Sequence, residues 1–212
     1  MLLPDELRID EITSTRDPRW PQWKSIYESS FAPFERLPDE TYDVVLNGRA
    51  RGEITNVWLF AAESVEEPGV VTGIADVVWH PQARAVLLRY FATKESLRGR
   101  GIGQSFYAAI LAQCKHLCAD LMVFEVEKPE IMAERSEAES ELARRRIRWY
   151  LRQGAKQLGG IHYDLVIAPG KALMEMHLMA HTFIEMTARE VFDAAKMIFG
   201  DALEQTEELT FE

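Results

Sequence analysis

Cysteine is almost missing from this chain: only Cys114 and Cys118 occur among 212 residues. They stand one helical turn apart, which reads against a disulfide between them, and a zinc site would need two further ligands. His116 lies between them but belongs to a different helical face. As a pair they read as small apolar residues packed in a core. Also missing is any apolar run near the roughly 20 residues that span a bilayer. The N-terminus, Met1-Leu2-Leu3-Pro4-Asp5-Glu6, has neither the basic start nor the apolar stretch of a secretory signal. A cytoplasmic protein, with no membrane partner and no metal, is the expectation. Basic residues are the scarcer charge, 24 Lys and Arg against 34 Asp and Glu, for a net charge of −10. That balance argues against nucleic acid as a partner, which calls for a basic field. No internal repeat and no low-complexity tract breaks the sequence.

What is present describes a soluble globular protein: 47% hydrophobic and 27% charged residues in a chain long enough to bury a full core. Leu7 to Ile12 reads as a first strand. Trp20 to Phe31 reads as a helix striped by Trp23, Ile26, Tyr27 and Phe31. A loop bracketed by Pro33 and Pro38 leads to a second helix over Asp39 to Leu46. Three strands come next, Val57 to Glu63, Val70 to Trp79 and Val86 to Thr93, joined by turn residues as in an antiparallel meander. Gln104 to Cys118 has the four-residue apolar recurrence of a helix, and Leu121 to Glu127 reads as a strand. Glu130 to Leu158 is charged throughout, acidic first and basic later. It reads as one helix whose charges suit its dipole, with Glu141 paired to Arg145 and Gly159-Gly160 as its end. Two more strands, Ile161 to Ala168 and Leu173 to His181, flank Pro169-Gly170. An amphipathic helix over about Glu185 to Leu203 closes the chain. The expected fold class is α/β (α+β), a mixed, mostly antiparallel seven-stranded sheet flanked by helices.

Between the strand at Val86 and the helix at Gln104 stands Arg98-Gly99-Arg100-Gly101-Ile102-Gly103. A glycine-rich turn from strand to helix aims free backbone N–H groups and the positive end of a helix dipole at one point, which makes an anion site. A dinucleotide fingerprint wants G-x-G-x-x-G, but the glycines alternate and position 104 is Gln. The turn also comes after the fourth strand and not the first. A nucleotide P-loop needs a Lys-Ser/Thr pair after its glycines, and none stands there. A third reading is a pyrophosphate turn for an acyl-CoA.

The same residues fit the (Q/R)-x-x-G-x-(G/A) signature of the GNAT superfamily of N-acetyltransferases, which this chain resembles. Tyr90-Phe91-Ala92-Thr93 resembles the family's strand beside pantetheine, with Thr where an aliphatic residue is usual. Arg148-Trp149-Tyr150-Leu151-Arg152-Gln153-Gly154-Ala155 is similar to its aromatic-Tyr-x-x-x-Gly-(Phe/Ala) segment, and the order of elements agrees from about residue 7 to 181. The resemblance implies a GNAT domain over 1–182 with a helical extension over 183–212. It implies acetyl-CoA as cosubstrate and direct transfer to a primary amine in a ternary complex. An inactive acyl-CoA-binding or regulatory module is the alternative.

By that resemblance, the amides of Arg98, Gly99, Arg100, Gly101, Ile102 and Gly103 hold the pyrophosphate, and Phe91, Ala92 and Thr93 pair with pantetheine as an extra strand would. Tyr150 protonates the CoA thiolate as it leaves. Against that role, Ile147, Tyr150, Leu151 and Gly154 share one helical face, so Tyr150 also has a reading as core. The base that deprotonates the amine is open among Asp76, Glu125 and Glu127, with Glu125 ranked first. In the loop joining the first two helices, Phe31, Phe34 and Glu35 are candidates for the acceptor pocket. The basic run from Arg144 to Lys156 reads as a self-paired helix face, some of it within reach of the CoA 3′-phosphate. His177 and His181 face one side of a strand about 13 Å apart, too far for one metal ion. The last helix reads either as a homodimer element or as packing on the domain's own sheet.

Overall fold

The computed structural model describes residues 7–33, 35–168 and 171–212. Phe34 and the expected Pro169-Gly170 turn lie outside the described residues. The first elements are β1 (Leu7–Ile12), α1 (Trp20–Ser30), α2 (Asp39–Arg51), β2 (Val57–Ser64), β3 (Val71–His80) and β4 (Ala85–Thr93). A 3-10 turn, Glu95–Leu97, leads to α3 (Ile102–His116), β5 (Leu121–Glu127), α4 (Pro129–Ala133) and α5 (Glu137–Arg152). The chain continues through β6 (Lys156–Ala168), β7 (Lys171–Thr182), α6 (Ala188–Phe199), a second 3-10 turn (Gly200–Ala202) and β8 (Leu203–Phe211). The strands form one mixed sheet in the order β1-β2-β3-β4-β5-β7-β6-β8, eight where the sequence led us to expect seven.

The chain divides into two compact units, Met1–Trp79 with Leu88–Gln113, and His80–Leu87 with Cys114–Glu212. In the first, β1 runs antiparallel to β2 from Leu7↔Ser64 to Ile12↔Leu59, and β2 antiparallel to β3. Trp23, Ile26 and Tyr27 of α1 and Tyr42 and Leu46 of α2 share a core with Leu59, Ala61, Ile74, Tyr90 and Ala92 of the strands. Burying that many aromatic and branched side chains stabilises by roughly 1.5–3 kcal/mol each, which is what orders two short helices here. Helix α2 extends past Leu46 because Arg49 and Arg51 suit its C-terminal dipole and only Gly52, at φ 72°, ends it.

The second unit is centred on β5. It is parallel to β4 from Ala85↔Leu121 to Leu87↔Val123 and antiparallel to β7 from Leu121↔Thr182 to Glu127↔Met176. The charged segment is not one helix. Ser136 accepts a hydrogen bond from the Glu139 N–H at 3.1 Å and caps a new helix there, so α4 and α5 are separate. Gly154, at φ 89°, ends α5 five residues before Gly159-Gly160, which instead form a bulge inside β6. A Cβ on Gly160 would collide with the Glu208 carbonyl oxygen, so β8 approaches β6 only because no side chain intervenes.

Glu141 pairs with Arg148 at 2.6 Å, not with Arg145, while Arg144 reaches Glu137 at 2.8 Å and Arg146 pairs with Glu127. The last helix is also shorter than expected. A capping box of Thr187 and Glu190 starts it at Ala188, and the chain returns as β8. Leu203 pairs with Tyr163 across the sheet, and Val191, Phe192, Ala195 and Leu203 join the core under β5, β6 and β7.

Candidate functional site

The glycine turn is built as its sequence demands. Gly99 and Gly101 sit at φ 80° and 87°, the left-handed region in which a side chain is strained. A Cβ on Gly99 would meet nothing within 4 Å, so backbone conformation and not crowding requires glycine there. Ile102 is 3% exposed and seats the first turn of α3 in the core. Gln104 and Ser105 N–H groups donate to the Gly101 carbonyl at 3.0 and 3.1 Å. The amides from Gly99 to Gly103 precede them, at the end of the helix where intrahelical acceptors run out. Gly103 lies within α3, while Arg98 and Arg100 are exposed and Arg98 stands 3.8 Å from Glu95.

What holds this helix against the strands is a residue outside the turn. A Cβ on Gly73 of β3 would lie 3.0 Å from the Phe106 ring and 3.3 Å from the Ala92 carbonyl oxygen. Glycine there lets α3 settle against the strands, and a lone glycine inside the apolar run Val71-Thr72-Gly73-Ile74 is its sequence signal. On β4, side chains alternate. Phe91 packs on Phe106, tilted, and edge-on against Tyr107 of α3, at 5.2 and 5.8 Å between ring centres, while Tyr90 and Ala92 join the core beneath α1 and α2. Thr93 ends the strand, half-buried.

The loop after α1 is tied down at several points. Phe31 packs on Tyr27 and Tyr90, at 5.7 and 4.8 Å between ring centres. The Glu35 carboxylate accepts from the Ala32 N–H at 3.1 Å, and Tyr90 donates its hydroxyl to the Glu35 carbonyl at 2.6 Å. Phe34, between them, is outside the described residues. Asp76 is fully buried. Arg89 donates to both its oxygens at 3.0 Å, and the Tyr42 hydroxyl donates at 3.1 Å. Burial pushes its carboxyl up, against the pull of Arg89. Asp76 is thus enclosed and hydrogen-bonded by its neighbours, whereas Glu125 and Glu127 are part-exposed.

In the second unit, neighbouring residues of β5 meet different tyrosines. Phe124 and Glu125 leave opposite faces of the strand. Phe124 stacks on Tyr150 with ring centres 4.3 Å apart, and Glu125 accepts a hydrogen bond from the Tyr163 hydroxyl at 2.7 Å. Tyr150 is 7% exposed. Burial pushes its hydroxyl up, Arg146 pulls it down, and Glu127 pushes it further up. The Arg146–Glu127 ion pair therefore acts electrostatically on Tyr150, and Glu125 takes a different partner. The buried face of α5 is Ser140, Ala143 and Tyr150, whereas Leu151 is 39% exposed and Gly154 lies beyond the helix. Tyr163 escaped sequence reasoning because a tyrosine in the strand Ile161-His162-Tyr163-Asp164 carries no pattern beyond ordinary β-propensity.

The two cysteines part company. Cys114 is buried, and burial pushes its thiol up to about 12; Cys118 is exposed past the end of α3, at φ 56°. The expected shared helical face stops at His116 because Cys118 itself takes the left-handed conformation that ends the helix, with its N–H bonded to the Lys115 carbonyl. Among the described residues, no three His, Cys, Asp or Glu side chains are grouped to hold a metal ion, and no helix is long and apolar enough to cross a membrane.

Neither the family models nor the curated proteins include a match to this chain. Solved structures do match. A protein from Bacteroides thetaiotaomicron described as a GNAT-family acetyltransferase superposes with a TM-score of 0.69 at 21% identity, covering 91% of this chain and 98% of that one. An acetyltransferase from Bacillus subtilis in complex with CoA gives 0.53 at 16% identity, covering 84% and 100%. A Salmonella typhimurium acetyltransferase solved with acetyl-CoA gives 0.54 at 16%, covering 85% and 96%. The fold of this chain is that of the GNAT-family acetyltransferases, with an eighth strand in its sheet.

Proposed function

We propose that this chain is an acyl-CoA-dependent N-acyltransferase that moves an acetyl group from acetyl-CoA to a primary amine in a ternary complex. The observation that carries the reading is the turn of two left-handed glycines opening α3, in a chain with this fold. Structures of similar fold from Bacillus subtilis and Salmonella typhimurium hold CoA and acetyl-CoA. The turn fits a pyrophosphate. Its amides carry no side chain that would block approach at Gly99, and Arg98 and Arg100 add the positive charge that amides alone lack. Phe91 to Thr93 would offer backbone groups to the pantetheine amides.

Acetyl-CoA supplies an activated thioester. The chain's part is to remove a proton from the acceptor ammonium and to ease the departure of sulfur. Glu125 takes one ammonium proton, the freed nitrogen lone pair attacks the thioester carbon, the C–S bond breaks with its electron pair leaving on sulfur, and the second proton lost by the nitrogen ends on the CoA thiolate. Tyr150, kept protonated by its burial, gives the departing sulfur a hydrogen bond; burial makes it a weaker acid than an ordinary tyrosine, which favours a shared over a transferred proton. Phe31 and Glu35 border the acceptor in this reading. The residues of the proposed reaction all lie within 1–182, and the acceptor is a primary amine.

Thermal melting with and without acetyl-CoA tests the binding step. At about 100 times Kd the ligand adds ~2.7 kcal/mol, or roughly 5–10 °C for a chain of this size. No shift at millimolar acetyl-CoA overturns the reading. A shift without thiol release on any amine of a broad panel leaves only the binding module.

A further inference from the structure

We infer that Tyr163 is a positioning residue for the base Glu125, and that the segment after Thr182 exists in part to hold Tyr163 in place. The inference rests on the acyltransferase reading above and extends it to a residue and a segment outside the motifs. Tyr163 is 3% exposed, yet its hydroxyl is directed to the Glu125 carboxylate at 2.7 Å. A buried phenol that reaches past β7 to a carboxylate on β5 has its own ionised form suppressed: burial first, then the Glu125 charge, pushes the Tyr163 hydroxyl up. It thus remains a donor at every working pH, and a fixed donor selects one orientation of the carboxylate.

Tyr163 is fixed in turn by the chain beyond β7. Its backbone pairs with Leu203 of β8. Its ring packs on Phe199, the last residue of α6, with ring centres 4.7 Å apart. Lys196 closes that corner by donating to the Leu203 carbonyl at 2.6 Å. Two residues of the C-terminal segment, Phe199 and Leu203, therefore meet the tyrosine that donates to the proposed base, and Lys196 braces Leu203. His162, next to Tyr163 in β6, faces Asp164 at 3.2 Å and Glu175 at 3.1 Å, and Glu175 also pairs with Lys128.

The Tyr163 donor gives the Glu125 carboxylate a set direction, and a hydrogen bond to the ionised form favours that form. The proton removed from the acceptor ammonium ends on Glu125 and passes to solvent after release; Tyr163 donates throughout and is never consumed.

The test is thiol release against pH, with acetyl-CoA saturating and the best amine varied, for wild type, Tyr163→Phe and Phe199→Leu. Tyr163→Phe is expected to move the acidic limb of kcat/KM for the amine up by roughly half a pH unit or more, with kcat falling several-fold. Phe199→Leu, which loosens the ring and keeps the hydroxyl, is expected to shift the limb the same way by less. In a Glu125→Gln background, adding Tyr163→Phe should change the profile no further. Coincident profiles for an active wild type and Tyr163→Phe overturn the inference alone, whatever the melting temperatures do. A wild type that releases no thiol overturns the acyltransferase reading, and this inference falls with it. If Tyr163→Phe fails to fold, Phe199→Leu decides, and an unmoved limb there overturns the inference.

Discussion

The two tyrosines beside β5 divide the chemistry of the proposed reaction between leaving group and nucleophile. Tyr150 lies against Phe124 and Trp149 and feels the charges of Arg146 and Glu127, while Tyr163 is bonded to Glu125. Removing the Tyr150 hydroxyl keeps the ring and its stacking, so the fold should survive with little change. Tyr150→Phe is expected to lower kcat at least tenfold, about 1.4 kcal/mol of transition-state stabilisation, while acetyl-CoA affinity stays within a factor of two. Steady-state thiol release and a binding titration check this, and an unchanged kcat removes Tyr150 from the mechanism. The carboxylates needed the structure to be sorted. Asp76, Glu125 and Glu127 look alike in sequence, each a charge in an apolar strand. Only three-dimensional partners separate Asp76, locked by Arg89 and Tyr42, from Glu127, paired with Arg146, and Glu125, held by Tyr163.

Elements whose signal is local were legible from sequence. Strands β1 and β5 fall where alternation and apolar content place them, and the glycine turn opens α3 as its spacing implies. Elements decided by tertiary partners were not. Strand β8, Leu203–Phe211, has five consecutive exposed residues and many glutamates, so it lacks the alternation of a strand; pairing with β6 makes it one. The charged segment misled for a related reason. Its dipole-matched charges run continuously, but the Ser136 cap and Gly154 set the true ends of α5. The turn itself allows a matched comparison. Gly99 and Gly52 both have left-handed φ, 80° and 72°, and open space where a Cβ would point. Alanine at either position carries a strain of about 1–2 kcal/mol. Both Gly99→Ala and Gly52→Ala should therefore lose roughly 2–8 °C in melting temperature. Only Gly99→Ala should also weaken acetyl-CoA binding, by tenfold or more, because only its amide faces the pyrophosphate in the proposed complex. Equal affinities for the two variants would place the anion elsewhere.

On the scale of the whole molecule, the question is whether the segment beyond residue 182 is an appendage. Its interior says that the second unit is incomplete without it. Val191, Ala195 and Leu203 are fully buried and Phe192 is 7% exposed, all in the core formed with Leu121, Val123, Leu158, Tyr163 and Leu178. At about 1.5–3 kcal/mol for each of Val191, Phe192 and Leu203, removal forfeits on the order of 5–9 kcal/mol. A natural domain has only about 5–15 kcal/mol to lose. Removing β8 would also turn β6 into an open edge, with the Gly159-Gly160 bulge no longer covered. A chain ending at Thr182 is therefore expected to lack a cooperative melting transition and to aggregate, although every residue of the glycine turn and Tyr150 remains. Circular dichroism and analytical size exclusion of the shortened chain, beside the full one, measure this directly. A shortened chain that melts cooperatively and binds acetyl-CoA would show that the core beneath β5 to β7 closes without α6 and β8. The buried side chains of those two elements predict that it does not.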